Sequence, residues 1–165
     1  MELYSNYITG YRIWRISPDA ELVSYSQSTV WEPGIPVKAF CRLELTLLLL
    51  YGGGYYLDHS THKCGIYAYN NFDILCQYLY FEKPVFFYSR RFVIGKVALW
   101  GKVFEHELGY RAEYAYPLSI DWQMDNIFTC RCAYCCQLTG ITLDCINKLC
   151  IKYNIKNNII SFPNV

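Results

Sequence analysis

Residues 93–117 read V-I-G-K-V-A-L-W-G-K-V-F-E-H-E-L-G-Y-R-A-E-Y-A-Y-P, and this stretch constrains the fold more than any other in the chain. Apolar residues alternate with polar or small ones at the period of a β-strand. Gly109, following Glu107 and Leu108, suits the left-handed position of a three-residue hairpin loop. A strand over 91–106 and a return strand ending at Pro117 are predicted, with bulges or bends at Gly95 and Gly101. A loop of that length sets His106 opposite Tyr110, Glu105 opposite Arg111, Val103 opposite Glu113 and Gly101 opposite Ala115. One face then carries Trp100, Phe104, His106, Tyr110, Ala112, Tyr114 and Tyr116, and is expected to be core. The other carries Leu99, Gly101, Val103, Glu105, Arg111, Glu113 and Ala115.

That second face sets three charges beside two nearly absent side chains, a pattern that leaves a shallow hollow walled by ionisable groups. Arg111 is the candidate to grip an anionic or planar ligand group, with Glu105 or Glu113 accepting hydrogen bonds and Trp100 or Tyr116 supplying an aromatic surface. The plainer reading is a solvated cross-strand ion pair between Glu105 and Arg111, worth under about 1 kcal/mol. A one-residue slip in the hairpin register exchanges the two faces.

The remaining chain reads as strands at 7–16, 22–25, 29–31, 64–69 and 85–88, with a last edge strand over 155–162. Residues 37–51 fit a helix or a buried strand equally. A helix is predicted over 72–81, capped by Asn70 or Asn71 with Asp73 in its first turn. A second is predicted over about 142–153, with Leu143, Ile146, Leu149, Cys150 and Tyr153 as its inner stripe. The expected architecture is α+β and β-rich, a curled or barrel-like and mostly antiparallel sheet with about two helices. The 165 residues are read as one domain: a β-rich module over about 7–117 and a Cys-rich helical C-terminal extension over about 121–165.

Five segments (10–16, 31–34, 64–68, 97–106 and 109–117) together resemble a family of small bacterial and phage proteins whose signatures are C-G-I-Y-A and L-W-G-x-V-x-E-H-x-x-G-x-R-A-E-x-A-Y-P. The resemblance spans roughly residues 10–117 and implies that these segments form one module. It implies no activity.

Composition narrows the function classes. The net charge is +1, which disfavours duplex DNA and acidic membranes as partners. The longest apolar run, 43–51, falls well short of the roughly 20 residues that span a bilayer. The first residues lack the basic and apolar regions of a secretory leader, so a cytoplasmic chain with nine reduced cysteines is expected. Seventeen Tyr and nine Phe supply much of the apolar content, and Tyr suits both strand faces and binding surfaces.

Cys130, Cys132, Cys135 and Cys136 form the densest thiol cluster, and the spacing of Cys132 and Cys135 is that of half a zinc site. Zinc bound there, with Cys145 as an alternative fourth ligand, is one expectation; small buried thiols are the other. His59, His62 and Cys64 make a second ligand set. Cys64 also fits a nucleophile, with His106 as base and Glu105 or Glu107 orienting it. No phosphate-binding Gly loop, G-x-S-x-G or H-E-x-x-H is present.

Three functions fit these observations. The first is a module binding a small polar or nucleotide-like ligand on the hairpin sheet. The second is a protein-interaction or inhibitor module. The third is an enzyme using Glu105 and His106 for acid–base chemistry, with or without Cys64.

Overall fold

The computed structural model describes residues 6–25, 28–41, 63–81, 92–123 and 143–158. They form an α+β fold with the elements β1 (Ile8–Ile16), β2 (Leu22–Ser24), β3 (Val30–Trp31), β4 (Val37–Lys38), β5 (Ile66–Tyr69), α1 (Phe72–Phe81), β6 (Phe92–His106), β7 (Gly109–Pro117), β8 (Ser119–Ile120), β9 (Trp122–Gln123), α2 (Leu143–Tyr153) and β10 (Lys156–Asn157). The expected strands over 85–88 and the leucine-rich 42–51 lie outside the described residues.

The sheet follows the order β3-β2-β1-β5-β7-β6-β9, with β4 added on β7 and a further pairing of β1 with β6. The long β6 makes the curl. Its first half pairs with β1, from Arg15 opposite Phe92 to Ile8 opposite Leu99. Its second half pairs with β7. β7 pairs with β5, and β5 returns to β1 through the single pair of Tyr69 and Tyr11. The circuit is a near-ring rather than a barrel, because that last contact is one residue long. β10 and β8 form a separate parallel pair, so the whole is mixed although mostly antiparallel.

The hairpin register differs from the sequence expectation by one residue. His106 pairs with Gly109, Glu105 with Tyr110, Phe104 with Arg111 and Val103 with Ala112, so only Glu107 and Leu108 form the loop. A bulge follows between Trp100 and Val103, where Gly101 takes a φ of 77°. Leu99, Ala112 and Ala115 lie in the core and Val103 packs on it, whereas His106 is exposed and Trp100 and Tyr114 are half-buried. Core residues therefore come from both of the expected faces, Ala112 and Tyr116 from one and Leu99 and Ala115 from the other. The shorter loop and the bulge together undo the expected division into two faces.

Both helices follow from local sequence. The Asn71 side chain accepts from the Asp73 N–H at 2.7 Å and caps α1, whose Leu75 is wholly buried beside Ile13, Phe92 and Ile94. In α2 the apolar spacing places Ile146, Leu149, Cys150 and Tyr153 into the main core with Trp14, Leu22 and Trp31. Asn154 ends it in the left-handed region, at φ 53°. There Asn154 N–H donates to Ile151 O at 3.1 Å and Ile155 N–H to Cys150 O at 3.0 Å, the two bonds of a Schellman stop.

Two tyrosine hydroxyls fasten this helix to the sheet. Tyr153 accepts from the Leu22 N–H at 2.9 Å and donates to the Trp31 carbonyl. Tyr116 accepts from the Gly34 N–H at 2.8 Å and donates to the Tyr153 carbonyl at 3.0 Å. Tyr153→Phe keeps the ring and strands a buried donor and acceptor. It is expected to lower the urea unfolding free energy by about 1–3 kcal/mol. An unchanged midpoint would show that these bonds contribute nothing net.

Candidate functional site

Arg111 is the centre of the site. It sits on β7 between Phe104 on β6 and Tyr67 on β5. The residue is only 4% exposed, an unusual position for an arginine, and its guanidinium carbon lies 4.5 Å from the Phe104 ring centroid. Gly65 makes the room: a Cβ there would stand 2.3 Å from Arg111 Cγ. Arg111 forms a wall shared by two cavities.

The larger cavity has a volume of about 810 Å³ and opens where β1 and β5 diverge beyond their single pair. Tyr25, Tyr67, Tyr69, Tyr78 and Tyr110 supply aromatic walls. Arg12, Lys63 and Arg111 bring three cationic side chains, against one carboxylate, Glu107; His106 lies on the rim. Arg12 crosses the gap between the diverging strands. Its guanidinium donates to the Tyr67 carbonyl and to Ser24 Oγ at 3.4 Å, and lies 5.2 Å from the Trp31 ring centroid. As a residue Arg12 is partly open, but its Nε is covered. Burial lowers its guanidinium to about 10, so it remains charged at neutral pH.

The smaller cavity, about 200 Å³, lies on the other flank of Arg111 between Lys38, Cys41, Cys64, Lys102 and Glu113. Glu113 faces Lys38 Nζ at 3.8 Å and accepts from the Lys102 N–H at 3.4 Å. A third hollow, of about 880 Å³, runs beside β8 and the end of α2. Its Lys152 is engaged by Glu21 at 3.5 Å and its Lys96 lies 5.9 Å from the Tyr11 ring centroid; Lys156 is its third cation.

The sequence candidates are thus distributed. Arg111 lines both of the first two cavities, Glu113 and Cys64 the smaller, and His106 the larger. Cys64 and His106 line different cavities of the two around Arg111. Glu105 is exposed and lines neither. Trp100 stacks on Tyr114, with ring centroids 6.0 Å apart and planes 14° from parallel. Tyr116 is committed to the latch with Tyr153. Arg12, Lys63 and the converging tyrosines are not among those candidates. The usable signal for Arg12 was a cation set between Tyr11 and Ile13 in a strand whose apolar residues head for the core.

The expectation of zinc is corrected. Among the described residues no group of three or more His, Cys, Asp or Glu is placed to hold a metal ion. The two thiols that do meet, Cys41 and Cys64, share their cavity with Arg111, Lys38 and Lys102, whose charge opposes a dication. Cys145 and Cys150 on α2 pack at the core and form no disulfide. Cys130, Cys132, Cys135 and Cys136 lie outside the described residues, as do His59 and His62.

The fold and site define a class: a curled-sheet α+β protein with a tyrosine-walled, cationic cavity at the seam of the near-ring. No family model matches the chain, and neither does any curated protein or solved structure. The family resemblance described above therefore rests on its sequence signatures alone. Among the described residues no helix is long and apolar enough to cross a membrane.

Proposed function

We propose that the protein binds a small planar anion of nucleotide type in the larger cavity, in a cytoplasmic setting. The observation that carries this reading is the composition of the walls: five tyrosines, with Arg12, Lys63 and Arg111 against the single carboxylate of Glu107. Tyrosine faces stack with a planar ring, and guanidinium and ammonium groups match phosphate oxygens. A volume of about 810 Å³ lies within the range of small-molecule sites. Tyr67, 45% exposed and tied through its hydroxyl to the Lys63 carbonyl at 2.8 Å, stands at the mouth as the stacking surface. None of the five described cysteines is joined in a disulfide, in keeping with a reducing compartment.

Titration calorimetry against mono-, di- and cyclic nucleotides tests the reading. At least one is expected to bind. Lys63→Ala should weaken it about tenfold, the size of one charge-assisted contact. Tyr67→Ala should cost about 1–3 kcal/mol of stacking. Both positions are open enough to tolerate truncation. Absence of binding across the panel, or affinity indifferent to both substitutions, rules the proposal out.

A further inference from the structure

β4 and β5 lie end to end along one edge of β7. Val37 and Lys38 pair with Ala115 and Tyr114, and the Ala39 N–H donates to the Glu113 carbonyl at 2.7 Å. Ile66 then takes up the same edge at Ala112. The chain leaves this edge after Ala39 and rejoins it one position further along at Ile66, with Cys41 and Cys64 on the two sides of the neck. Their thiols line the same small cavity and are within hydrogen-bonding reach of each other. Both flanking segments are anchored on one strand, so the two sulfurs are held together by the sheet itself. Cys41 is buried, at 7% exposure, whereas Cys64 is partly open and presents the accessible sulfur. Lys38, Lys102 and Arg111 surround the pair, with Glu113 as the carboxylate.

We propose that Cys41 and Cys64 are a redox-active thiol pair, converted to an intramolecular disulfide by a small anionic disulfide of the glutathione type. The cations around the cavity favour a carboxylate-bearing reagent. The Cys64 thiolate attacks one sulfur of oxidised glutathione, forming a mixed disulfide and releasing one glutathione thiolate. The Cys41 thiolate then attacks Cys64 Sγ, closing the protein disulfide and releasing the second glutathione. The protein gives up two electrons and two protons, and oxidised glutathione becomes two glutathione thiols.

Burial and the neighbouring Cys41 raise the Cys64 thiol above its ordinary value, and Arg111 opposes them. The pair is therefore slow near neutrality and quickens as pH rises, by about tenfold per pH unit while the thiolate is the minor form. This inference does not rest on a ligand in the larger cavity.

The test exposes the full chain to excess oxidised glutathione at mildly alkaline pH, quenches by alkylation and maps the digest by mass. The expected result is a crosslinked peptide joining Cys41 to Cys64, with alkylation lost at both. In Cys41→Ser the resolving thiol is gone, so Cys64 should accumulate as a mixed disulfide carrying one glutathione. The proposal fails if both cysteines stay alkylated while other thiols oxidise, or if Cys64 is joined to a different cysteine. It also fails if folded Cys41→Ser, checked by circular dichroism, takes up no glutathione at Cys64. Should that variant not fold, the crosslink map of the unsubstituted chain decides alone.

Discussion

Gly95→Ala is expected to leave little folded protein where the parent chain is stable. At Gly95 the chain of β7 and β8 crosses the long strand. Leu118 N–H donates to the Lys96 carbonyl at 2.8 Å and Asp121 N–H to the Ile94 carbonyl at 2.9 Å, one on each side of Gly95. Between them Ser119 and Ile120 leave the β6 ladder and pair with β10 instead. A Cβ on residue 95 would stand 1.8 Å from the Ser119 carbonyl oxygen and 2.8 Å from its carbon. The obstacle is backbone and cannot rotate away, so β8 must lift off and give up its hydrogen bonds. Overpacking of this kind costs about 3 kcal/mol or more, a large share of the 5–15 kcal/mol typical of a domain. Urea unfolding followed by far-ultraviolet circular dichroism measures it. A midpoint equal to that of the parent would mean that Ser119 does not cross here.

Gly65→Ala is expected to destabilise by about 2–4 kcal/mol, through two separable terms. Gly65 holds a φ of 140°, where side chains are strained, and its new Cβ would meet Arg111 Cγ at 2.3 Å and Cδ at 2.9 Å. The strain is a property of residue 65 alone, whereas the collision needs the Arg111 stem. In an Arg111→Ala background the same substitution should therefore cost less, leaving only the strain. Equal cost in both backgrounds would show that Arg111 does not press on Gly65. Displacing Arg111 also moves it off Phe104 and alters the wall between the two cavities.

The local features of this chain were legible before any tertiary contact. A cap from Asn70 or Asn71, which falls to Asn71, and the stripe members Ile146, Leu149, Cys150 and Tyr153 depend on residues within one or two turns, and these were legible. The alternation over 93–117 likewise specified two paired strands. Its register was not legible. Glu107-Leu108 lacks the Asn-Gly type of turn signal that marks a two-residue loop, and Gly109 fits the longer loop equally well.

The site was half legible for the same reason. Arg111 stood out as a cation among small residues, but its neighbours Arg12, Lys63 and Tyr67 reach it only through β1, β5 and β7, strands far apart in sequence. Sequence periodicity determined the long strands of the hairpin and β1, the two helices and the apolar face of α2; it left 37–51 open and did not mark the short β8 and β9. The tertiary structure alone decided that β1 returns to β5 through one pair, that Arg12 crosses the opening left beside it, and that Cys41 meets Cys64. Those outcomes depend on where β6 curls and where β8 departs from it, which are non-local pairing decisions that no window of neighbouring residues encodes.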